Sequence, residues 1–359
     1  MMSCYSYKLR NITIKDYKGF NDIDIDCTRP DGSVNQWTIL LGENNSGKTR
    51  ILKAIAEFLL ERQSQNEKNA SVVVPRVYGY GVTRYPSSGQ NIKGILVGDC
   101  ATLLSANEKL VDLEDFILQI SFGDKNGDKN AHKILSLFQN VICKSELFPE
   151  IHGIKVESDF TSDSLVSNKV LFNTEDGWYS FSELGFGYQS MLSWVVDLCY
   201  RLSKRYPDSS NPLHEPAIVL IDEIDLHLHP RWQRVIVPLL SEAFPKVQFI
   251  ATTHSPFVIQ SMENVNLYVL NRDNGKIGLS RNDVKDFRGW SVEEILMDVM
   301  KLEEKIKSDY LNLKLDEYDD SIDNDDSEKI ESLYTELCRL LPPNSITRKI
   351  INLQKIKVG

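Results

Sequence analysis

Along this chain, short unbroken apolar runs that end in polar or acidic residues alternate with stretches of helical spacing, the pattern of an α/β fold on a buried sheet. Residues 217–221, Ala-Ile-Val-Leu-Ile, run directly into Asp222 and Glu223 and read as a strand buried on both faces with two carboxylates at its C-terminal end. Residues 37–41 and 247–251 are further buried strands. Alternation over 7–14 and 23–26 predicts a meander leading into the strand at 37–41. Helical spacing of Ile51, Leu52, Ile55, Phe58 and Leu59 predicts a helix to about residue 62, where a polar stretch ends it. Between 64 and 168 the signals are weaker: short strands at 72–74 and 77–82, helices over 106–120 and 131–143, and a turn at 123–128. Then follow a hairpin (169–172 with 178–181), a helix carrying Met191, Trp194, Val195 and Leu198, and a helix after Pro230 with Trp232, Ile236 and Leu240. A second hairpin flanks Asp273-Asn274-Gly275-Lys276, Ser291-x-x-Glu294 caps a helix reaching Leu302, and helices close the chain at 331–341 and 345–356.

Adjacent acids at the end of a buried strand are costly unless they meet a cation or a reacting group. The partner stretch is Gly42-Glu43-Asn44-Asn45-Ser46-Gly47-Lys48-Thr49, between the strand at 37–41 and the helix that follows. Gly-x-x-x-x-Gly-Lys-Thr in that context is a phosphate cradle. Its glycines let backbone N–H groups wrap the anion, Lys48 reaches the β- and γ-phosphates, and the Thr49 hydroxyl ligates Mg²⁺. Glycines at 185 and 187, just before a helix, make a second anion site, and His254, at the end of the strand after the acidic one, can reach the same phosphate as the acids. His227, His229 and His254 share this half, but their spacing suits no common zinc site.

At 359 residues and 42% apolar composition the chain holds one large domain or two ordinary ones. No run approaches the roughly eighteen apolar residues of a membrane span, and the first ten residues lack a signal peptide's apolar core. Six scattered cysteines without a Cys-x-x-Cys pair suit reduced thiols, so we expect a cytoplasmic protein. The net charge of −10 is concentrated. Eight of the 51 acids lie between Asp316 and Glu328 with no base among them, and the remaining 43 nearly balance 41 bases. That run is expected to be a solvated loop. A nearly neutral body neither advertises nucleic-acid binding nor excludes a local basic groove.

Taken in order, the phosphate loop, the glycine-bearing helix start, the acidic pair and the histidine resemble the ABC-type ATPase head, in its soluble RecF-, SMC- and OLD-like branch. Leu9-x-x-Ile12 followed by Asp16-Tyr17-Lys18-Gly19-Phe20 resembles that branch's N-terminal element. The stretches 220–230 and 248–256 are similar to bacterial AAA-family ATPases of anti-phage defence systems, the Septu and retron-associated kinds. The resemblance covers about residues 5–62 and 169–280. It implies a P-loop NTPase head with a mixed central sheet and flanking helices, interrupted by a mostly helical insertion and followed by a helical C-terminal tail. The corresponding divisions are 1–63 and 169–285 for the two halves of the head, 64–168 for the insertion, and 286–359 for a helical region containing the acidic loop.

The resemblance further implies ATP and Mg²⁺ as ligands. Gly42, Asn44, Asn45, Ser46, Gly47, Lys48 and Thr49 would bind phosphate, with Thr49 and Asp222 at the metal. Glu223 would be the general base, His254 the γ-phosphate sensor, and Lys48 would complete the catalytic set. Asp225 falls where the family links two active sites, and Gly187 in the loop that touches ATP on a second protomer. That loop departs from Leu-Ser-x-Gly: Leu184-Gly185-Phe186-Gly187 lacks the serine. Gln90 is the candidate for the family's Q-loop. The expected protein is therefore an ATPase that forms a homodimer through ATP. It gates a separate effector such as a nuclease, with DNA or RNA as a candidate trigger and no membrane partner. A RecF-like repair ATPase and an ATP-locked scaffold with little turnover are the alternatives.

Overall fold

The computed structural model describes residues 8–358 apart from Asp16, Lys18, Asn44, 69–75, 85–97, 161–165, 274–275, Lys285 and 303–306. The expected strand at 72–74, the loop at 85–90 and Gln90 with it lie outside the described residues. The chain divides into two compact units, Met1–Ile295 and Leu296–Gly359.

The strands of the first unit are β1 (Asn11–Ile14), β2 (Ile23–Asp26), β3 (Trp37–Leu41), β4 (Arg76–Tyr80), β5 (Gly153–Phe160), β6 (Val166–Thr174), β7 (Gly177–Ser180), β8 (Ala217–Ile221), β9 (Val247–Thr253), β10 (Asn266–Asp273) and β11 (Lys276–Asn282). Six of them form the central sheet in the order β11-β10-β3-β9-β8-β4, parallel throughout except for β11, which pairs antiparallel with β10. Strands β3, β8 and β9 are buried at every position, as their predominantly apolar runs predict. With the helix Lys48–Lys68 between β3 and β4 and the helix Phe186–Arg205 ahead of β8, this is an α/β P-loop fold on a mixed sheet.

Leu40, Ile218, Leu220 and Ile250 on one sheet face pack in a single core with Ile51, Leu52 and Ile55 of the P-loop helix and with Ile12, Ile23 and Ile25 of β1 and β2. The expected meander is corrected here. Strands β1 and β2 pair with each other in a separate two-stranded sheet, while β3 joins the central one. Half-buried alternating strands line the edge of a core; a strand buried at every position lies inside it. The P-loop helix also outlasts its expected end at residue 62, because Gln63 is buried and its Oε1 accepts the Val77 amide at 3.3 Å.

Within the segment read as an insertion, β4 supplies the sixth strand of the central sheet. The expected helix at 106–120 starts instead at Leu113, where Asp112 caps the amides of Glu114 and Asp115, and it runs through to Lys125. Its neighbour starts at Lys129 behind Asp128. Strand β5, which the sequence reading lacked, pairs with β6 and β7 in a three-stranded antiparallel sheet. The helix expected after Pro230 is two short ones, Pro230–Gln233 and Ile236–Ala243, because Pro238 has no N–H for the Arg234 carbonyl and fits only in a first turn.

A buried polar cluster ties the helix Phe186–Arg205 to the edge strand. Asp197 Oδ2 accepts the Tyr80 hydroxyl at 2.9 Å and Arg201 Nε at 2.6 Å, and Arg201 Nη1 reaches Asp99 Oδ1 at 3.1 Å.

In the second unit, helices Asp309–Asp323, Ser327–Leu340 and Ile346–Val358 close over Tyr318, Ile330, Leu333, Leu337, Leu341 and Ile351. Most of the acidic run is helical rather than a loop, with a turn at 324–326 between the first two helices. Leu311, Leu315, Tyr318 and Ile322 recur at helical spacing on the core side and leave the carboxylates to the outer face. The capped helix at Ser291 makes both bonds of its capping box, yet passes into a π-helical turn at Ile295–Val299 and stops short of Leu302. Among the described residues no helix is long and apolar enough to cross a membrane.

Removing the carboxylate with Asp197→Ala would take away the acceptor of Arg201 Nε and of the buried Tyr80 hydroxyl, leaving the buried guanidinium with Asp99 as a carboxylate partner. It should lower the urea-unfolding free energy by about 3–5 kcal/mol, against about 1 kcal/mol for Tyr80→Phe. Equal effects of the two substitutions would contradict this account of the cluster.

Candidate functional site

The parallel sheet brings the C-terminal ends of β3, β8 and β9 to one edge, and the candidate residues converge there. A cavity of about 620 Å³ is lined by Asn45, Ser46, Gly47, Lys48, Thr49 and Arg50 from the loop and helix after β3, by Glu223 after β8, and by His254 after β9. Gly42, Asp222 and Asp225 stand behind that lining, and Asn44 lies outside the described residues.

The loop's shape depends on backbone conformations that few residues tolerate. Asn45 has φ 62° and Gly47 φ 103°. A Cβ on Gly47 would also collide with Ile277 Cδ1 of β11. Ile277 is held in turn by the N-terminal element: its amide donates to Gly19 O at 3.2 Å, and its carbonyl accepts the Asn21 amide at 2.9 Å. Phe20 is buried beside it, under the Arg50 guanidinium at 4.9 Å. The antiparallel edge strand and the residues around Phe20 thus buttress the loop from below.

Lys48 is buried, and its Nζ donates to Gly42 O at 2.7 Å and Glu43 O at 3.0 Å, both carbonyls of its own loop. Burial lowers its pKa from the usual lysine value, against the opposing pull of Glu223, Asp222 and Asp225. Among the described residues no carboxylate lies within salt-bridge reach of Nζ, so the charge faces the cavity without a partner of opposite sign. The Ser46 hydroxyl is buried with no hydrogen-bond partner. A buried cation, an orphaned hydroxyl and a loop wound around glycines fit a phosphate group.

Asp222 is completely buried. Its Oδ2 accepts the Thr49 hydroxyl at 2.7 Å and its Oδ1 the Thr252 hydroxyl at 2.6 Å. A hydroxyl and a carboxylate in contact at a phosphate loop match the oxygen donors that Mg²⁺ takes alongside substrate phosphates. Thr252 does double service, since its Oγ1 also accepts the Glu223 amide at 2.7 Å. Glu223 sits at φ 47°, a left-handed conformation for a non-glycine residue, which turns its side chain into the cavity. Asp225 is buried, accepts Thr253 Oγ1 at 2.5 Å and stands 3.6 Å from Nδ1 of the half-exposed His254. Gly187 lies apart from the cavity, where a Cβ would come within 2.6 Å of the His227 carbonyl, so only glycine lets the start of that helix rest on the segment after Asp225.

Two family models match the chain: "AAA ATPase domain" over residues 8–122 and "AAA domain, putative AbiEii toxin, Type IV TA system" over residues 117–260. Each of these AAA-type models matches less than half of the chain. Together the two AAA matches take in the phosphate loop, the acidic strand and His254. Among curated proteins, the chain is 32% identical over 203 residues to "Septu protein PtuA" of Bacillus thuringiensis, covering 53% of this chain and 49% of that protein. It is 29% identical over 242 residues to "Retron Ec83 probable ATPase" of Escherichia coli, covering 60% and 41%. The chain thus spans less than half the length of these relatives. Among solved structures, an Smc head bound to the C-winged helix domain of ScpA aligns with 76% of this chain and 97% of its own, at 16% identity and a TM-score of 0.43.

Three residues of the candidate site were not marked in the sequence reading. Arg50 lines the cavity, Thr252 anchors the acidic turn, and Arg84 donates to the carbonyls of that turn. Thr252 left a signal, because paired threonines at the end of a fully buried strand must find partners. Thr252→Val should destabilise the protein by about 1–3 kcal/mol and Thr252→Ser by far less. Indistinguishable urea midpoints for the two variants would contradict the bonding described.

Proposed function

We propose that the chain is the ATP-binding and ATP-hydrolysing subunit of a bacterial anti-phage defence complex, which dimerises through ATP and gates a separate effector such as a nuclease. The observation that carries the reading is the convergence of Lys48, Thr49, Glu223 and His254 on one cavity backed by Asp222. The Septu and retron relatives supply the biological setting.

In this reading Gly42, Asn44, Asn45, Ser46 and Gly47 wrap the phosphates and Lys48 exchanges its loop carbonyls for phosphate oxygens. Thr49 and Asp222 hold Mg²⁺. Bound there, the metal supplies neutralisation of charge on the β- and γ-phosphates. Glu223 accepts a proton from water as that water forms a bond to the γ-phosphorus, while the bond to the ADP oxygen breaks. His254, oriented by Asp225, senses the γ-phosphate. In the ATP-bound dimer Gly187 faces the nucleotide of the second protomer and Asp225 links the two sites. The helix behind Gly187 begins at Gly185 with no side-chain cap, where the family's serine would stand. That gap favours a second reading, an ATP-locked scaffold with little turnover.

Glu223→Gln decides between them. Hydrolysis at saturating Mg-ATP should fall about 10²- to 10⁴-fold, with ATP binding retained and a dimer stable in gel filtration. Equal turnover by wild type and variant would favour the scaffold, and a strictly monomeric variant would refute ATP-driven dimerisation.

A further inference from the structure

We propose that Arg84 is a positioning residue for hydrolysis. Its guanidinium holds the main chain on both sides of the turn that aims Glu223. The inference rests on the reading of Glu223 as general base.

Arg84 leaves the end of β4, the parallel neighbour of β8. Tyr80 pairs with Ile221, and the Tyr80 carbonyl accepts the Asp222 amide at 2.8 Å, so the two chains leave the sheet side by side. A Cβ on Gly81 would strike the Thr102 carbonyl, and Thr102 Oγ1 bonds Gly79 O at 3.2 Å, which pins the segment leading to Arg84. The arginine is 1% exposed, and its Nη2 donates to the carbonyls of Asp222, at 2.7 Å, and of Glu223.

With those bonds every main-chain polar group from the Asp222 amide to the Ile224 amide is engaged. The Asp222 amide and the two carbonyls are held from the β4 side, the Glu223 carbonyl also accepting the Leu226 amide of its own turn at 3.0 Å. The Glu223 amide is held by Thr252 Oγ1, and the Ile224 amide by Thr252 O at 3.0 Å, both from β9. The left-handed Glu223 lies at the centre of this double clamp. Such a conformation persists only where its surroundings over-determine it, and a buried guanidinium with donors aimed at two successive carbonyls supplies the constraint on one side. Released from it, the Glu223 peptide can relax, and its carboxylate leaves the position from which it meets the attacking water. The side-chain bonds of Lys48, Thr49 and Asp222 do not involve the arginine, so nucleotide binding does not depend on it.

The test is single-turnover hydrolysis and fluorescent-ATP binding by full-length Arg84→Ala, Glu223→Gln and the double variant. We expect Arg84→Ala to lose about 10- to 100-fold in rate, the scale of an ångström of misplacement. Its affinity for the ATP analogue should be unchanged, and it should cause no further loss in the Glu223→Gln background. Millimolar guanidinium should partly restore Arg84→Ala and leave Glu223→Gln untouched. If Arg84→Ala does not fold, Arg84→Lys carries the same readouts, since a single ammonium cannot reproduce the geometry of the guanidinium. A wild-type rate in either variant, a loss that appears only in affinity, or an additive loss in the double variant overturns the proposal. Absence of turnover in the wild type overturns instead the reading of Glu223 on which it rests.

Discussion

A carboxylate with no exposure to solvent is the constraint around which this fold is arranged. Asp222 sits at the end of a strand buried at every position, and its charge would be prohibitive without strong donors. It has two, the hydroxyls of Thr49, in the helix that follows β3, and of Thr252, at the end of the adjacent strand β9. Each bond serves a second purpose. The first brings the phosphate loop to the acidic strand, and the second places Thr252 where it can receive the Glu223 amide. The same few atoms therefore settle the burial of a charge, the register of three loops and the direction of the candidate base.

The sheet order makes this arrangement possible. Parallel strands in the order β3-β9-β8-β4 deliver four chain ends to one edge, and each contributes something different: the phosphate loop, the threonines with His254, the acids, and Arg84. The antiparallel strand β11 serves the same edge from beneath. Ile277 fills the space that a side chain at Gly47 would need and is bonded to the residues flanking Phe20. On the far side the Asp197 carboxylate joins the helix behind Gly187 to Tyr80, whose carbonyl holds the Asp222 amide. Within the first unit, the middle of that helix and the acidic turn are thus linked through Tyr80, whose hydroxyl meets one and whose carbonyl meets the other.

The parts of this site that the sequence revealed are those in which composition and chemistry coincide. An apolar run ending in two acids can hardly be anything but a buried strand with a charge problem, and Gly42 to Thr49 has few other uses. The fold class followed from the same runs. What escaped was whatever depends on long-range pairing. Nothing local in Arg76–Tyr80 says that it will be the sixth strand of the central sheet, and so nothing could mark Arg84 as a neighbour of Glu223. The acidic helix Asp309–Asp323 escaped for the opposite reason. Its charge density masked an apolar spacing, Leu311, Leu315, Tyr318 and Ile322, that was present all along.

The central claim is that a Mg²⁺–nucleotide site is held ready by the bond between Asp222 and Thr49. Calorimetric titration of the intact chain with ATP, once with Mg²⁺ and once with excess EDTA, tests it most directly. The account predicts markedly tighter binding with Mg²⁺, and that difference should vanish in Asp222→Asn while metal-free binding through Lys48 persists. Equal affinity of the wild-type protein with and without Mg²⁺ would contradict it.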